Sequence, residues 1–410
     1  MSGMQMMRRG FAPILGAVAF CASGYAAPAW AETEPATLYD ARSVGMGGTG
    51  TAFIANAAAV YHNPANLDRI EHFSVTAAFT PTFSTFGAPW LTPGTEQNSS
   101  APLLPFGFVG GALRLHERVV LGAGVYFHSG VGSTYEALPA LGGLDQQFRL
   151  AVLEAALPLS IRILDNLSLG VGLRLPFGFL DSKTFNATLG GNAEQSLRGV
   201  SYPGAHLGIL YRPLSWLSLA LTYRSKTKID MHGDTLLPGV GKFDSEGNWS
   251  MPHSLRLGTA FTFLDERLTL ALDSRVQFYK ESSKRLVSSA ETQAVLGQDT
   301  TNTVELQWKN SASFHLGLEY FFNRFFGLRA GYALVMSATP AETVSPFTLP
   351  PGLVHEPTLG AGFRLASFEI DLAAAYALGR HRQSLPSLNG GPGDYTYDTW
   401  LLSLSASYTL

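Results

Sequence analysis

The feature that most constrains this chain is a two-residue hydrophobic period that recurs from residue 72 to the last residue. In the closing stretch Trp400, Leu402, Leu404, Ala406, Tyr408 and Leu410 share one side, while Thr399, Ser403, Ser405, Ser407 and Thr409 share the other, Leu401 being the exception. Between 216 and 232, Leu217, Leu219, Leu221, Tyr223, Ile229 and Met231 oppose Ala220, Thr222, Arg224, Lys226, Lys228 and Asp230. Period two with one greasy face marks a half-buried strand. The same template gives about 14 strands, an even number as in bacterial outer-membrane barrels. They fall near 72–86, 104–115, 118–130, 146–163, 166–181, 199–212, 216–233, 250–264, 267–281, 303–322, 324–338, 353–366, 367–382 and 395–410.

Connection lengths alternate. Tight ones at 116–118, 164–166, 213–215, 264–266 and around Asn323 are interleaved with longer ones at 87–103, 131–145, 182–198, 234–249, 282–302, 339–352 and 383–394. Short periplasmic turns and long external loops are the mark of an outer-membrane barrel, whose greasy strand face meets lipid and whose polar face meets the lumen. A soluble sandwich or solenoid would also show short strands with turn signals. It explains neither the loop asymmetry nor the Trp, Tyr and Phe at strand ends. The expected fold class is all-β: a transmembrane antiparallel β-barrel of about 14 strands over residues 71–410, with a small N-terminal plug in its lumen.

Composition narrows the function. Charged residues make up 14% of the 410, against roughly 25% in soluble domains. A formal net charge of −3 without a basic tail argues against a nucleic-acid partner. Residues 1–31 read as an export signal: Arg8 and Arg9, an apolar run at 11–23, then Ala29-Trp30-Ala31 as a small-x-small cleavage site. No later apolar run is long enough to span a membrane as a helix. The single cysteine, Cys21, lies in that leader, so the mature chain is expected to have no disulfide, thiolate metal site or thiol nucleophile. No cofactor and no metal are expected.

Residues 32–70 lie between leader and strands and hold a small, glycine-dense, nearly uncharged run. Gly45, Gly47, Gly48 and Gly50 permit close backbone approach, and Pro64 biases Asn63 toward an extended or turn conformation. This stretch is the candidate plug. Gly45-x-Gly47-x-x-Gly50 also matches a dinucleotide fingerprint, but no strand precedes it and no βαβ unit surrounds it.

Gly45-Met46-Gly47-Gly48 is followed by Asn56-Ala57-Ala58-Ala59-Val60-Tyr61-His62 and then by Asn63-Pro64-Ala65-Asn66-Leu67. This succession resembles the N-terminal hatch of the FadL family of outer-membrane hydrophobe transporters, in which an Asn-Pro-Ala triplet closes a similar run. The run from Leu221-Thr222-Tyr223-Arg224 to Asp230, Leu328-Arg329-Ala330-Gly331-Tyr332 and the closing strand from Thr399 are similar to the family as well. Leu410 departs from the pattern, standing where such barrels usually end in an aromatic.

The resemblance implies a monomer in outer-membrane lipid, giving passive passage to long-chain fatty acids or other hydrophobic molecules, aromatic hydrocarbons among them. It implies a lumen site beside the hatch, and lateral exit where the third strand kinks. On this chain the kink would fall near Ser129-Gly130-Val131-Gly132, where glycines weaken strand pairing; the alternative is that they begin an external loop. Two further readings stand beside transport: a secretion or surface-assembly component of the same family, and a barrel-embedded lipid hydrolase.

A carboxylate-headed hydrophobe needs an apolar pocket and a few cations. Alternation places Arg224, Lys226 and Lys228 on the polar face of one strand and Arg174 on that of another, Arg174 and Arg224 being the leading candidates. The competing account is internal ion pairing, because Arg256, Asp273, Arg275, Glu319, Arg329, Arg364, Glu369 and Asp371 also fall on expected lumen faces. Met46, Phe53 and Ile54 either line a greasy pocket or pack the plug. Enzyme signals are poor: there is neither a Gly-x-Ser-x-Gly elbow nor a His-Glu-x-x-His pair, and His116-Glu117 falls in a tight turn.

Overall fold

Alternation becomes a closed wall once each segment pairs with the next. The computed structural model describes residues 40–90, 96–101 and 103–410; the expected export signal lies outside them. The wall strands are β1 (Phe73–Pro89), β2 (Leu103–His116), β3 (Val119–Leu138), β4 (Leu144–Leu164) and β5 (Leu167–Asn186). Five interrupted strands follow: β6 (Gly191–Ser201 and Gly204–Leu214), β7 (Leu217–Arg224 and Thr227–Leu237), β8 (Gly241–Met251 and Ser254–Phe263), β9 (Leu268–Gln277 and Arg285–Ala290) and β10 (Thr300–Glu305 and Ser311–Phe321). The last four are β11 (Phe326–Met336), β12 (Leu353–Leu365), β13 (Phe368–Gln383) and β14 (Gly393–Thr409). Every neighbouring pair is antiparallel, and β14 closes on β1 from Ser74 opposite Thr409 to Gly87 opposite Thr396. Closure of this 14-strand barrel removes the exposed edges that an open sheet would leave in lipid.

Along the closing strand, Trp400, Leu402 and Leu404 point out and are about half exposed, while Ser403, Ser405 and Ser407 point in and are buried. The inward hydroxyls pair across the seam, Ser403 with Thr80 at 2.8 Å and Ser407 with Thr76 at 3.0 Å. Leu401, the exception to the alternation, faces inward and packs in the apolar cluster around the N-terminal segment. At the tight-turn end, aromatic side chains ring the outer face; Trp216 stacks with Phe261 and Phe263, and Phe326 lies against Phe363. Rings at this level suit the headgroup boundary.

The breaks in β6, β7 and β8 fall at one level, at Tyr202-Pro203, Ser225-Lys226 and Pro252-His253. A proline cannot donate to the ladder, so two of these breaks are written in the sequence. Beyond the break β7 resumes with its faces exchanged. Ile229 and Met231 are buried in the barrel and Lys226, Lys228 and Asp230 are exposed outside, the reverse of the placement expected from unbroken alternation. The reason is the change of solvent. Above the membrane band the outer face meets water, so apolar side chains turn inward and charged ones outward.

Several expected loops differ: 182–198 and 234–249 shrink to turns at 187–190 and 238–240 because strands fill the rest, and Arg285–Ala290 and Thr300–Glu305 are strand within 282–302. β3 does not stop at 130 but runs on to Leu138, so Gly130 and Gly132 lie within a strand and do not begin a loop. The 339–352 connection is not an external loop standing in water. Its residues 343–351 are all buried, and it turns back into the barrel mouth, where Tyr135 donates to Pro346 O at 2.7 Å and Thr343 to Leu306 O at 2.6 Å.

Candidate functional site

The residues inside the wall begin with the N-terminal segment. Asp40 caps a single helical turn, α1 (Ala41–Gly45), by accepting from Ser43 N at 2.9 Å. Gly47, at φ +69, then reverses the chain. A second turn, α2 (Ala59–His62), leads to the Asn63-Pro64-Ala65 triplet. Here each residue type has a task. Asn63 accepts from Ala65 N to cap the 3-10 helix Pro64–Arg69, and Pro64 opens that helix where no amide donor is needed. The Asn63 amide group donates back to Thr51 O at 3.0 Å and out to Ile209 O of the wall at 3.1 Å.

Polar contacts tie this inner segment to opposite sides of the barrel. Asp273 of β9 accepts from Gly50 N, Thr51 N and the Thr51 hydroxyl, at 3.1, 3.1 and 2.6 Å. Arg42 forks onto Glu319 of β10 at 3.0 and 2.7 Å. Glu319 also accepts from Arg329, which reaches Asp371 at 2.6 Å and Glu369 at 3.3 Å. Asp68 accepts from Arg162 Nε at 3.0 Å and from Ser168 at 2.7 Å. Within the segment, burial raises the Asp40 carboxyl, but the hydrogen bond with His62 at 2.7 Å and that from Ser43 N outweigh it and hold the group below the usual carboxylate range.

Arg174 and Arg224 come together, on one carboxylate. Glu154 of β4 accepts from Arg174 at 2.6 Å, from Arg224 and from the Tyr126 hydroxyl. Arg174 further donates to Ala205 O and Ser225 O, so its fork is engaged on three sides. Arg224 lies 4.7 Å from the centre of the Tyr61 ring, a cation–π contact between wall and inner segment. Lys226 does not join them. It is exposed, and its ammonium donates to Glu281 O at 3.0 Å. Met46 and Ile54 are fully buried in the cluster between segment and wall, and Phe53 lies under the Arg42 guanidinium at 5.2 Å.

Above the inner segment the lumen is apolar. Trp249, Trp308 and Tyr279 meet edge to face at 5.8 and 5.1 Å. Trp90, Tyr135 and Phe148 form a second aromatic group around Phe347 of the inturned 339–352 connection. Sequence reasoning missed these residues for two reasons: Trp90, Tyr135, Trp249 and Phe347 fall in stretches read as external loops, and the greasy face of every strand was assigned to lipid. The usable signal was the run of alternating charge at Lys226, Lys228 and Asp230, which cannot face hydrocarbon and so requires its neighbours to face in.

The wall beside this chamber has an interruption. β2 and β3 pair only as far as Phe108 opposite Tyr126. Beyond that level β2 continues on β1 through Leu103, while β3 continues on β4 after a bulge at His128. The next contact above, among the described residues, is the bridge of Ser100 with Thr134. Ser129, Gly130 and Gly132 line the β3 side of this window, and side chains fill it: a Cβ on Gly130 would lie 2.8 Å from the Phe106 ring and one on Gly132 would lie 3.0 Å from Leu104.

Residues 22–410 match the family described as outer membrane protein transport protein (OMPP1/FadL/TodX). No curated protein sequence matches the chain. Among solved structures, a Pseudomonas aeruginosa FadL homologue aligns at 17% identity and a TM-score of 0.74, covering 93% of this chain and 100% of its own. The Pseudomonas putida toluene transporter TodX gives 20% identity and 0.74 with coverage of 93% and 100%. The Ralstonia pickettii toluene transporter TbuX gives 19% and 0.71 with coverage of 90% and 98%. At these identities the likeness is one of fold.

Proposed function

Since this chain belongs to the OMPP1/FadL/TodX family of outer-membrane transport proteins, we propose that it takes up long-chain fatty acids or aromatic hydrocarbons as a monomer in outer-membrane lipid, with residues 40–70 acting as a plug. The hydrophobe enters from outside, rests in the aromatic chamber beside the inner segment and leaves sideways between β2 and β3. The observation that carries the reading is the unpaired window opening from an apolar lumen. There the wall is closed by two apolar side chains, Phe106 and Leu104, and not by a hydrogen-bonded ladder. Moving a side chain is far easier than breaking several backbone hydrogen bonds in lipid. Arg224 acts on this route by holding Tyr126 and Tyr61, and Arg174 by holding Glu154, the carboxylate that Arg224 and Tyr126 share. Lys226, turned outward, has no part in it.

The test is uptake of labelled fatty acid and labelled toluene into cells without a transporter of their own. Gly130→Leu wedges a side chain against Phe106 and is expected to abolish uptake. Phe106→Ala widens the window and is expected to speed it. Wild-type rates in both variants, with both barrels folded, would remove lateral exit. No uptake of either compound by the wild type would remove the transport reading altogether.

A further inference from the structure

The tight-turn end of the barrel holds a cavity on the far side of the inner segment from the apolar chamber. Its volume is about 410 Å3, and it lies among the β4–β5, β6–β7 and β8–β9 turns. Arg42, Arg69, Arg212 and Arg364 line it, and the carboxylates in its lining are Asp165 and Glu266.

Two of the four cations are matched inside the protein. Arg42 holds Glu319 in a two-pronged contact, and Arg364 is 3.5 Å from Glu369. The other two are not matched. Arg69 makes no ion pair among the described residues and donates only at long range, to Ala52 O at 3.5 Å and Phe53 O at 3.4 Å. Arg212 comes no nearer to a carboxylate than 3.9 Å, and that carboxylate, Asp68, is already held by Arg162 and Ser168. The Arg212 Nε is buried with no hydrogen-bond partner among the described residues. Burial, with Arg212 and Arg42 close by, brings the Arg69 guanidinium down to about 10. Buried donors without acceptors are costly, and crowded like charges add to the cost.

We propose that this cavity is an oxyanion site open to the periplasm, taking a carboxylate or phosphate group between the Arg69 and Arg212 guanidinium planes. Guanidinium forks match both groups in two parallel hydrogen bonds. An anion here would satisfy the idle Arg212 donor and relieve the repulsion between the arginines. The site stands apart from the uptake reading, because it needs no hydrophobe and shares no side chain with the chamber or the window.

The test is calorimetric titration of the full chain in uncharged detergent with inorganic phosphate, with propionate, and with mixed micelles of phosphatidylglycerol or phosphatidylcholine. Folding of each variant is checked by its heat-modifiable gel mobility. Saturable binding of phosphate or propionate that weakens about tenfold in Arg69→Gln and in Arg212→Gln, and that weakens with added salt, assigns the site to a free anion. Binding seen only with phosphatidylglycerol micelles, and lost in the same variants, assigns it to a lipid headgroup. Arg69→Lys, which keeps the charge but not the fork, is expected to fall between wild type and Gln. The proposal is overturned if the wild type binds none of these probes, or if binding is unchanged in both Gln variants.

Discussion

Glu154 is one carboxylate serving two arginines and a phenol, all buried within the wall. Each partner would be expensive to leave alone in a low-dielectric lumen, so the group matters less for what it adds than for what its loss exposes. Glu154→Gln keeps the volume and removes the charge, leaving Arg174 and Arg224 without their shared anion. The expected loss is roughly 3–5 kcal/mol, read as a lower urea midpoint for refolding into lipid vesicles at unchanged slope. The contrast is Asp230→Asn. Its pair with Lys228, at 2.7 Å, is about half exposed on both sides, and such pairs contribute at most about 1 kcal/mol. Equal losses in the two variants would mean that water reaches Glu154 and that the cluster is not a sealed one. The sequence placed both arginines on lumen faces correctly but not on one acid, since strand alternation gives a side chain's face and nothing about which distant strand lies opposite.

At the scale of elements, the inner segment and the wall are fitted to each other through missing side chains. A Cβ on Gly331 of β11 would lie 2.1 Å from Gly47 N and 2.4 Å from Met46 C, both backbone atoms that cannot swing aside. Gly331→Ala is therefore expected to leave the strands paired while lifting the inner segment off the wall, at about 1–3 kcal/mol for overpacking. Thiol labelling of an Ala58→Cys reporter, with Cys21 replaced by Ser, checks this. Ala58 is fully buried, so the reporter should be inert in the parent and reactive beside Gly331→Ala; an inert reporter in both would show that the wall yields instead. The segment itself was legible in the sequence, because Asn63, Pro64 and Ala65 act on one another locally as cap, helix start and first turn. Its seat was not legible. Gly331 reads like any strand glycine until Gly47, far away in the chain, is laid against it.

For the whole molecule the governing fact is that one strand crosses two solvents. Strand number, order and the outward band were readable because lipid and lumen impose a steady two-residue period over most of the wall. The outer part was misread because there water replaces lipid and the greasy side becomes the inner one. β7 allows a direct test, since Leu221 and Lys228 both point outward on it, one on each side of the break at Ser225-Lys226. If the membrane band ends near that break, Leu221→Lys puts a charge in hydrocarbon and should cost about 2–4 kcal/mol for refolding into vesicles. Lys228→Leu changes a water-exposed side chain and its half-exposed pair with Asp230, and should move stability by no more than about 1 kcal/mol. A large gain from Lys228→Leu would place that residue in lipid, and the exchange of faces along β7 would then need another cause. A small cost from Leu221→Lys would set the band lower on the barrel, moving the window between β2 and β3 toward the water outside and away from the lipid that the proposed lateral exit requires.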